Sequence, residues 1–182
     1  MNLTRLFPGA DPFLMKYSGK YYIYCTTEND EKLQSPSAFN TDKDGKDGFY
    51  VYQSDDLTHW ENKGLCLSKE DAMGDRWFWA PEVSYYRGKF YMVYEASEHL
   101  SMAVSDSPTG PFKKYENNPI LRKKSDVVGV GHNSYMPTDG ENRFICAYHC
   151  HSDNQDNFKP RMVCLCEAAF EKGNPDELKI YY

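Results

Sequence analysis

Two stretches of this chain repeat one pattern, and the repeat constrains the fold more than any other feature of the sequence. The segments DPFLMKYSGKYYIY at 11–24 and APEVSYYRGKFYMVY at 80–94 each place a proline seven positions before a glycine. Each predicts a β-hairpin, because a glycine turn separates two runs rich in aromatic and β-branched residues. A looser third copy, HNSYMPTDGENRFICAYH at 132–149, turns at Asp139 and Gly140.

A second element follows the first two hairpins. The segments GFYVYQSDDLTHWEN at 48–62 and LSMAVSDSPTGPFKK at 100–114 each contain an alternating strand, a Ser-Asp turn and a final aromatic strand. Each unit therefore predicts four short strands, and repetition of four-stranded units is typical of a β-propeller. The one plausible short helix is EAAFEK at 167–172, which also fits a strand and turn.

We therefore expect an all-β chain, residues 1–182, folded as one propeller-type domain. The units cover about 8–66, 76–117 and 127–182. Three units are fewer than the four to eight blades of typical propellers, so two sheet edges are expected to stay open.

The charge and the apolar content of the sequence narrow the classes of partner that this chain could bind. The formal net charge is −6, and the longest basic run is RKK at 122–124, which argues against a nucleic-acid partner. No run of about 18 apolar residues predicts a membrane span. The first residues lack the apolar segment of a signal peptide, so a cytoplasmic protein and a secreted one with its signal removed both remain open.

The six cysteines show no CxxC spacing and are expected to be free thiols.

Four motifs together resemble glycoside hydrolase family 43. They are ADPF…GKYYIY, FWAPEVSYYRGKFYMVY, AVSDSPTGPF and GVGHNSYM…AYHCH, which cover nearly the whole chain in the family's order. The family contains β-xylosidases, α-L-arabinofuranosidases and arabinanases on a five-bladed β-propeller. The resemblance implies hydrolysis of xylan- or arabinan-type glycosides with inversion, without a required cofactor, by a chain shortened by about two blades.

The resemblance implies one catalytic residue directly. The general base of the family is the aspartate of an Asp-Pro motif in the first blade, which matches Asp11. The family's second Asp-Pro and its acid-bearing Glu-Gly-Pro do not occur in this sequence. Glu95 or Glu98 could replace the acid, since both lie near the end of a strand in YEASEHL.

Four further residues are expected to bind the substrate: Phe78, Trp79, Glu82 and His132. Trp77, Phe78 and Trp79 could form an aromatic platform for a sugar ring. Trp79 is the preferred residue, and burial between blades fits two of the three at least as well. The histidine that matches His132 lies near the axis in the family and can bind a central ion, often calcium, although a structural hydrogen bond also fits. The acidic loop NTDKDGKDG at 40–48 is interpreted as a solvated hairpin loop rather than a calcium loop.

The missing carboxyl groups leave three functions open. The chain could be an active glycosidase whose acid is substituted or supplied by another chain. It could bind an oligo- or polysaccharide without cleaving it. It could also be a half-ring that forms a homo-oligomer through its open edges, because two three-bladed chains would give six blades.

Overall fold

In a computed structural model, the described residues of the chain form three four-stranded antiparallel sheets. The structure describes residues 6–7, 9–26, 48–122, 127–138, 142–152 and 160–181. The first sheet contains β1 (Ala10–Tyr17), β2 (Lys20–Thr26), β3 (Gly48–Ser54) and β4 (Glu61–Ser68). The second contains β5 (Trp79–Tyr86), β6 (Lys89–Ala96), β7 (His99–Ser105) and β8 (Lys113–Lys114). The third contains β9 (Gly131–Pro137), β10 (Arg143–His151), β11 (Arg161–Glu171) and β12 (Glu177–Tyr181).

Each sheet is a meander in which neighbouring strands follow one another in the sequence. The sheets are blades of a β-propeller, as the repeats predicted. The predicted turns at Gly19 and Gly88 connect the first two strands of blades one and two, and both glycines have positive φ. The turn expected at Asp139 and Gly140, and nearly all of the acidic loop, lie outside the described residues.

The middle blade lies between the other two and separates two apolar cores. Strand β6 alternates its side chains between them: Met92 and Tyr94 face the first blade, whereas Tyr91 and Val93 face the third. Both faces of β6 are therefore buried, which explains its nearly continuous apolar sequence. The first strands of the blades, β1, β5 and β9, pack in series beside the expected axis.

The helix considered at 167–172 is wrong, and the alternative of a strand and turn is confirmed. Residues 167–171 belong to strand β11, and Lys172 follows the end of that strand. Its residues Ala168 and Phe170 alternate with more exposed neighbours, a period-two pattern that suits a sheet. Phe170 also stacks on Tyr86 of the second blade, with ring centroids 4.2 Å apart. This contact between blades favours the strand over the helical propensity of the alanines.

The six cysteines are free thiols. Cys25, Cys66 and Cys146 are buried, and the other three are half-buried. Among the described residues, none lies in a helix long and apolar enough to cross a membrane.

Candidate functional site

The first strand of each blade (β1, β5 and β9) is called the inner strand below. The second residue of each inner strand has a left-handed backbone. The φ angles of Asp11, Ala80 and His132 are 47°, 48° and 42°. Side chains other than glycine rarely adopt such angles, and their recurrence at one position indicates a built feature of the blade. The strand register shifts at each of these places, so each inner strand carries a β-bulge there. Bulges of this kind turn a side chain away from its usual direction and are common beside active sites.

The three equivalent positions bring different chemistry to the axis. The first blade supplies a carboxylate from Asp11, the second supplies only the methyl group of Ala80, and the third supplies the imidazole of His132. The ring nitrogen Nδ1 of His132 lies 3.8 Å from Oδ1 of Asp11. Both side chains are partly exposed, at 37% for Asp11 and 55% for His132, so this cluster is open to solvent.

Thr26 orients the carboxylate of Asp11. Its buried hydroxyl donates a hydrogen bond to Oδ2 of Asp11 at 2.8 Å and accepts one from the backbone N–H of Ala80 at 2.9 Å. A single side chain therefore connects Asp11 to the inner strand of the second blade. We did not identify Thr26 from the sequence. The one feature that could have drawn attention to Thr26 is its position at the end of the first hairpin, opposite Ala10.

Glu95 reaches the same cluster from the second blade. It lies opposite Trp79 in the hairpin, is 5% exposed, and accepts a hydrogen bond from the backbone N–H of His132 at 3.2 Å. Burial raises the pKa of Glu95 to about 8, although the His132 N–H and the Arg161 charge act in the opposite direction. Regular pairing around the Gly88 turn would place Glu95 opposite Ala80. The β-bulge in β5 moves it opposite Trp79, so this pairing could not be predicted from the sequence.

Glu82 lies in the same interface between blades but bonds to a different part of β9. Its carboxylate accepts a hydrogen bond from the backbone N–H of Tyr135 at 3.1 Å. Burial raises the pKa of Glu82 to about 7. Glu82 and Glu95 thus both satisfy backbone donors of the third blade, and both favour the protonated carboxyl group.

The aromatic residues expected in the cleft differ in exposure. Phe78 is fully buried in the core between blades one and two, where its ring packs against Phe49 and Tyr94, so it has no free face for a sugar. Trp77 and Trp79 are half-buried and stack with ring centroids 6.0 Å apart. The buried indole N–H of Trp79 finds no hydrogen-bond partner among the described residues.

The described residues do not fit a calcium site. Asp11 and His132 are close to each other, but no group of three or more His, Cys, Asp or Glu residues that could hold a metal occurs in the described part of the chain. Imidazole nitrogen is also an unfavourable ligand for calcium, which prefers oxygen.

His149 adds a neutral imidazole behind the cluster. It pairs with Gly131 across the strands of the third blade. Burial, followed by the positive charge of Arg161 and the neighbouring histidines, lowers the pKa of His149 to about 4. His149 is therefore uncharged at neutral pH and adds no cation beside Asp11 and Glu95.

Comparison with known proteins gives a consistent result. The family model described as glycosyl hydrolases family 43 matches residues 7–100, slightly more than half of the chain. A xylosidase/arabinosidase of Bacteroides ovatus is 33% identical over an alignment of 126 residues, and the match covers 63% of this chain and 38% of the relative. Xylosidase/arabinosidase 43A of Humicola insolens is 31% identical over 114 residues, covering 57% of this chain and 34% of the relative.

Solved structures of an endo-xylanase and an endo-arabinase also resemble this chain. An endo-1,4-β-xylanase from Bacteroides thetaiotaomicron is 29% identical, with a TM-score of 0.64, and the match covers 90% of this chain and 47% of that one. An endo-arabinase from the same organism shares the fold at 20% identity and a TM-score of 0.64, covering 97% of this chain and 56% of that one. The chain thus spans about half the length of these solved structures and little more than a third of the two sequence relatives.

Proposed function

Because the chain belongs to family 43 of the glycosyl hydrolases, we propose that it cleaves glycosidic bonds of xylan- or arabinan-type glycans with inversion. The observation that carries this proposal is the geometry of Asp11. Its carboxylate stands on a strained bulge at the start of an inner strand, partly exposed and held by the Thr26 hydroxyl. Asp11 is the general base in this proposal.

The chemistry requires a water molecule between the base and the sugar. In an inverting glycosidase one carboxylate removes a proton from water while a second carboxyl group protonates the leaving oxygen. One oxygen of Asp11 is bonded to Thr26, whereas the other lies 3.8 Å from the His132 ring and is free to accept a proton from water. No cofactor enters this reaction, because the base, the acid and water balance it.

Trp79 and His132 are the proposed substrate-binding residues beside Asp11. Trp79 begins the inner strand of the second blade, and a sugar ring can stack on a tryptophan through its apolar face. His132 offers an exposed imidazole next to Asp11 for a sugar hydroxyl. We leave Phe78 out of the proposed site because its ring is enclosed in the core. Glu82 is also left out because its carboxylate bonds to Tyr135.

The test is hydrolysis of nitrophenyl β-xyloside and nitrophenyl α-L-arabinofuranoside by the purified chain and by its Asp11→Asn variant. Asparagine keeps the shape and can still accept from Thr26, but it cannot take a proton from water. We expect kcat/KM to fall by about 10²–10⁴-fold, the usual contribution of a general base. The anomer released first, followed by NMR, reports inversion.

Two outcomes would contradict this proposal. Turnover that is unchanged in Asp11→Asn would remove Asp11 from the role of base. Binding of xylo-oligosaccharides by a chain that hydrolyses none of these substrates would instead support a carbohydrate-binding protein without activity.

We also propose that two copies of the chain associate. The observation that favours this is an exposed apolar face on the third blade, where Val163 is 80% exposed and Leu165 is 70% exposed. A second copy could cover this face with the outer face of its first blade, where Leu14 is 55% exposed. Two three-bladed chains would then contribute six blades, within the usual range for propellers.

A further inference from the structure

An inverting hydrolysis needs a proton donor as well as a base, and the sequence lacks the Glu-Gly-Pro motif that would supply it. The structure brings one buried carboxyl group to the Asp11 cluster, that of Glu95. It extends from the end of β6 toward the third blade and accepts the His132 N–H. Asp11 approaches the same residue from the first blade, at the ring nitrogen Nδ1. Asp11 and Glu95 therefore flank a single histidine.

Gly131 makes room for this carboxyl group. A Cβ atom at Gly131 would collide with both carboxyl oxygens of Glu95 and with its carboxyl carbon. Only a residue without a side chain allows Glu95 to lie against the backbone of β9 at this point. A side chain at position 131 would therefore displace the Glu95 carboxyl group from its contact with β9.

The surroundings of Glu95 keep its proton in place at neutral pH. The side chain is 5% exposed, and burial is the largest cause of its raised pKa of about 8. The negative charges of Glu98 and Asp11 raise the pKa further, whereas the His132 N–H and Arg161 lower it. A general acid must be protonated before the reaction, and enzymes commonly achieve this by burying a glutamate near a second carboxylate.

We propose that Glu95 is the general acid that protonates the leaving oxygen in the hydrolysis proposed above, a role that depends on that proposed function. Asp11 removes a proton from water while the water oxygen bonds to the anomeric carbon. The bond from that carbon to the leaving oxygen breaks, and the proton of Glu95 passes to this oxygen. Asp11 ends protonated and Glu95 ends as a carboxylate, so exchange of one proton with solvent restores both groups.

Glu98 and Glu82 are the other carboxyl groups nearby. Glu98 follows Ser97 in the turn between β6 and β7, where both residues have positive φ, and it is more exposed than Glu95. Glu82 is bonded to Tyr135 rather than to His132. The bond from the His132 N–H to Glu95 is the contact that places a buried carboxyl group beside Asp11.

The experiment compares leaving groups in the Glu95→Gln variant. Glutamine mimics the protonated carboxyl group in size and can accept the His132 N–H, but it cannot release a proton. With xylobiose, whose leaving sugar needs protonation, we expect kcat/KM to fall by about 10²–10⁴-fold. With 2,4-dinitrophenyl xyloside, whose leaving phenolate needs none, we expect a loss below about tenfold.

The Glu82→Gln variant is the matched control. It removes the other buried carboxyl group that bonds to a backbone donor of the third blade, so it reports the structural cost of such a change. We expect it to lower activity on both substrates by the same factor, without the split between leaving groups. The Glu98→Gln variant is tested in parallel, and a split seen there instead of in Glu95→Gln would overturn the proposal.

A second measurement needs no variant. The wild-type pH profile of kcat/KM with xylobiose should fall on the alkaline side near pH 8, as Glu95 loses its proton, and this fall should be absent with dinitrophenyl xyloside. Equal losses on both substrates in Glu95→Gln, or wild-type rates in that variant, would overturn the role of Glu95 while Asp11-dependent turnover continues to support the proposed function. Absence of any wild-type turnover would overturn both proposals.

Discussion

Asp11, Ala80 and His132 occupy one position in three blades and share one strained backbone, yet only two of them carry a group that can do chemistry. The strained backbone is therefore a feature of the blade itself. The side chain at each position determines which chemical group that backbone presents. At Asp11 the side chain is held by the Thr26 hydroxyl, which donates to the carboxylate and accepts from the Ala80 N–H of the next blade. This makes Thr26 the residue on which the position of the proposed base depends most directly.

Replacing Thr26 with valine tests that dependence, because valine keeps the shape and removes the hydroxyl. The Ala80 N–H and one oxygen of Asp11 then lose their partner inside the protein. We expect the free energy of unfolding, measured in urea, to fall by about 1–3 kcal/mol, the cost of leaving a buried polar group without a hydrogen bond. The Thr26→Ser variant retains the hydroxyl and should lose less. Equal stabilities for the two variants would show that the hydrogen bonds contribute nothing.

Among the structural elements, the junction between the second and third blades is held by two carboxyl groups with raised pKa values. Glu82 and Glu95 accept backbone N–H groups of β9, with pKa values of about 7 and about 8. In the unfolded chain both would ionise at their ordinary pKa, near 4.5. The folded protein consequently holds protons that the unfolded chain has already released.

The sign of the pH dependence follows from this difference. Stability gained by holding the protons is fully present below the unfolded pKa and is lost as pH rises through about 7 and 8. His149 acts in the opposite direction but only below about pH 6.5, because its pKa is lowered to about 4. We therefore expect the free energy of unfolding to fall by on the order of 2 kcal/mol between pH 6.5 and 9.

Thermal unfolding across this pH range checks the expectation. The double variant Glu82→Gln with Glu95→Gln should show a flatter profile, since neither side chain can then release a proton. A wild-type protein whose melting temperature stays constant or rises from pH 6.5 to 9 would contradict the role assigned to the two glutamates.

The sequence predicted the elements better than it predicted the contacts between them. The glycine turns at Gly19 and Gly88 and the alternating strands follow from local chemistry, so the hairpins were predicted correctly. The segment at 167–172 was ambiguous because its alanines suit a helix, and the stacking of Phe170 on Tyr86 decided for the strand. Stacking between blades is invisible to local patterns.

Within the site as well, local features could be predicted from the sequence, whereas contacts between distant residues could not. Asp11 was identified because a proline and a hairpin follow it, and its function still depends on the family resemblance. Thr26 and the bulges could not be predicted, since a hydrogen bond from Ala80 to Thr26 connects residues 54 positions apart. Phe78 was considered for the cleft together with Trp77 and Trp79, but its ring packs against Phe49 and Tyr94 in the core.

At the scale of the whole molecule, the described residues form three blades around two apolar cores, and an outer face of the third blade is apolar and uncovered. The strand register places Met136, Val163, Leu165 and Tyr181 on one face of the third sheet. These four side chains are between 49% and 80% exposed. The opposite face of the same sheet is packed against the second blade. This arrangement supports the proposed association of two copies, because burial of exposed apolar area is favourable and such faces often mark interaction sites.

The Leu165→Glu variant tests whether a second copy covers this face. A carboxylate at the centre of an apolar interface would be desolvated without a partner, so association should weaken strongly. We expect the wild-type chain to sediment as a dimer at micromolar concentration and Leu165→Glu to shift toward the monomer. The Asn117→Glu variant adds the same charge at an exposed position of the second blade and should sediment like the wild type. A wild-type chain that sediments as a folded monomer would contradict the dimer, since the exposed face would then be stable in water without a second copy.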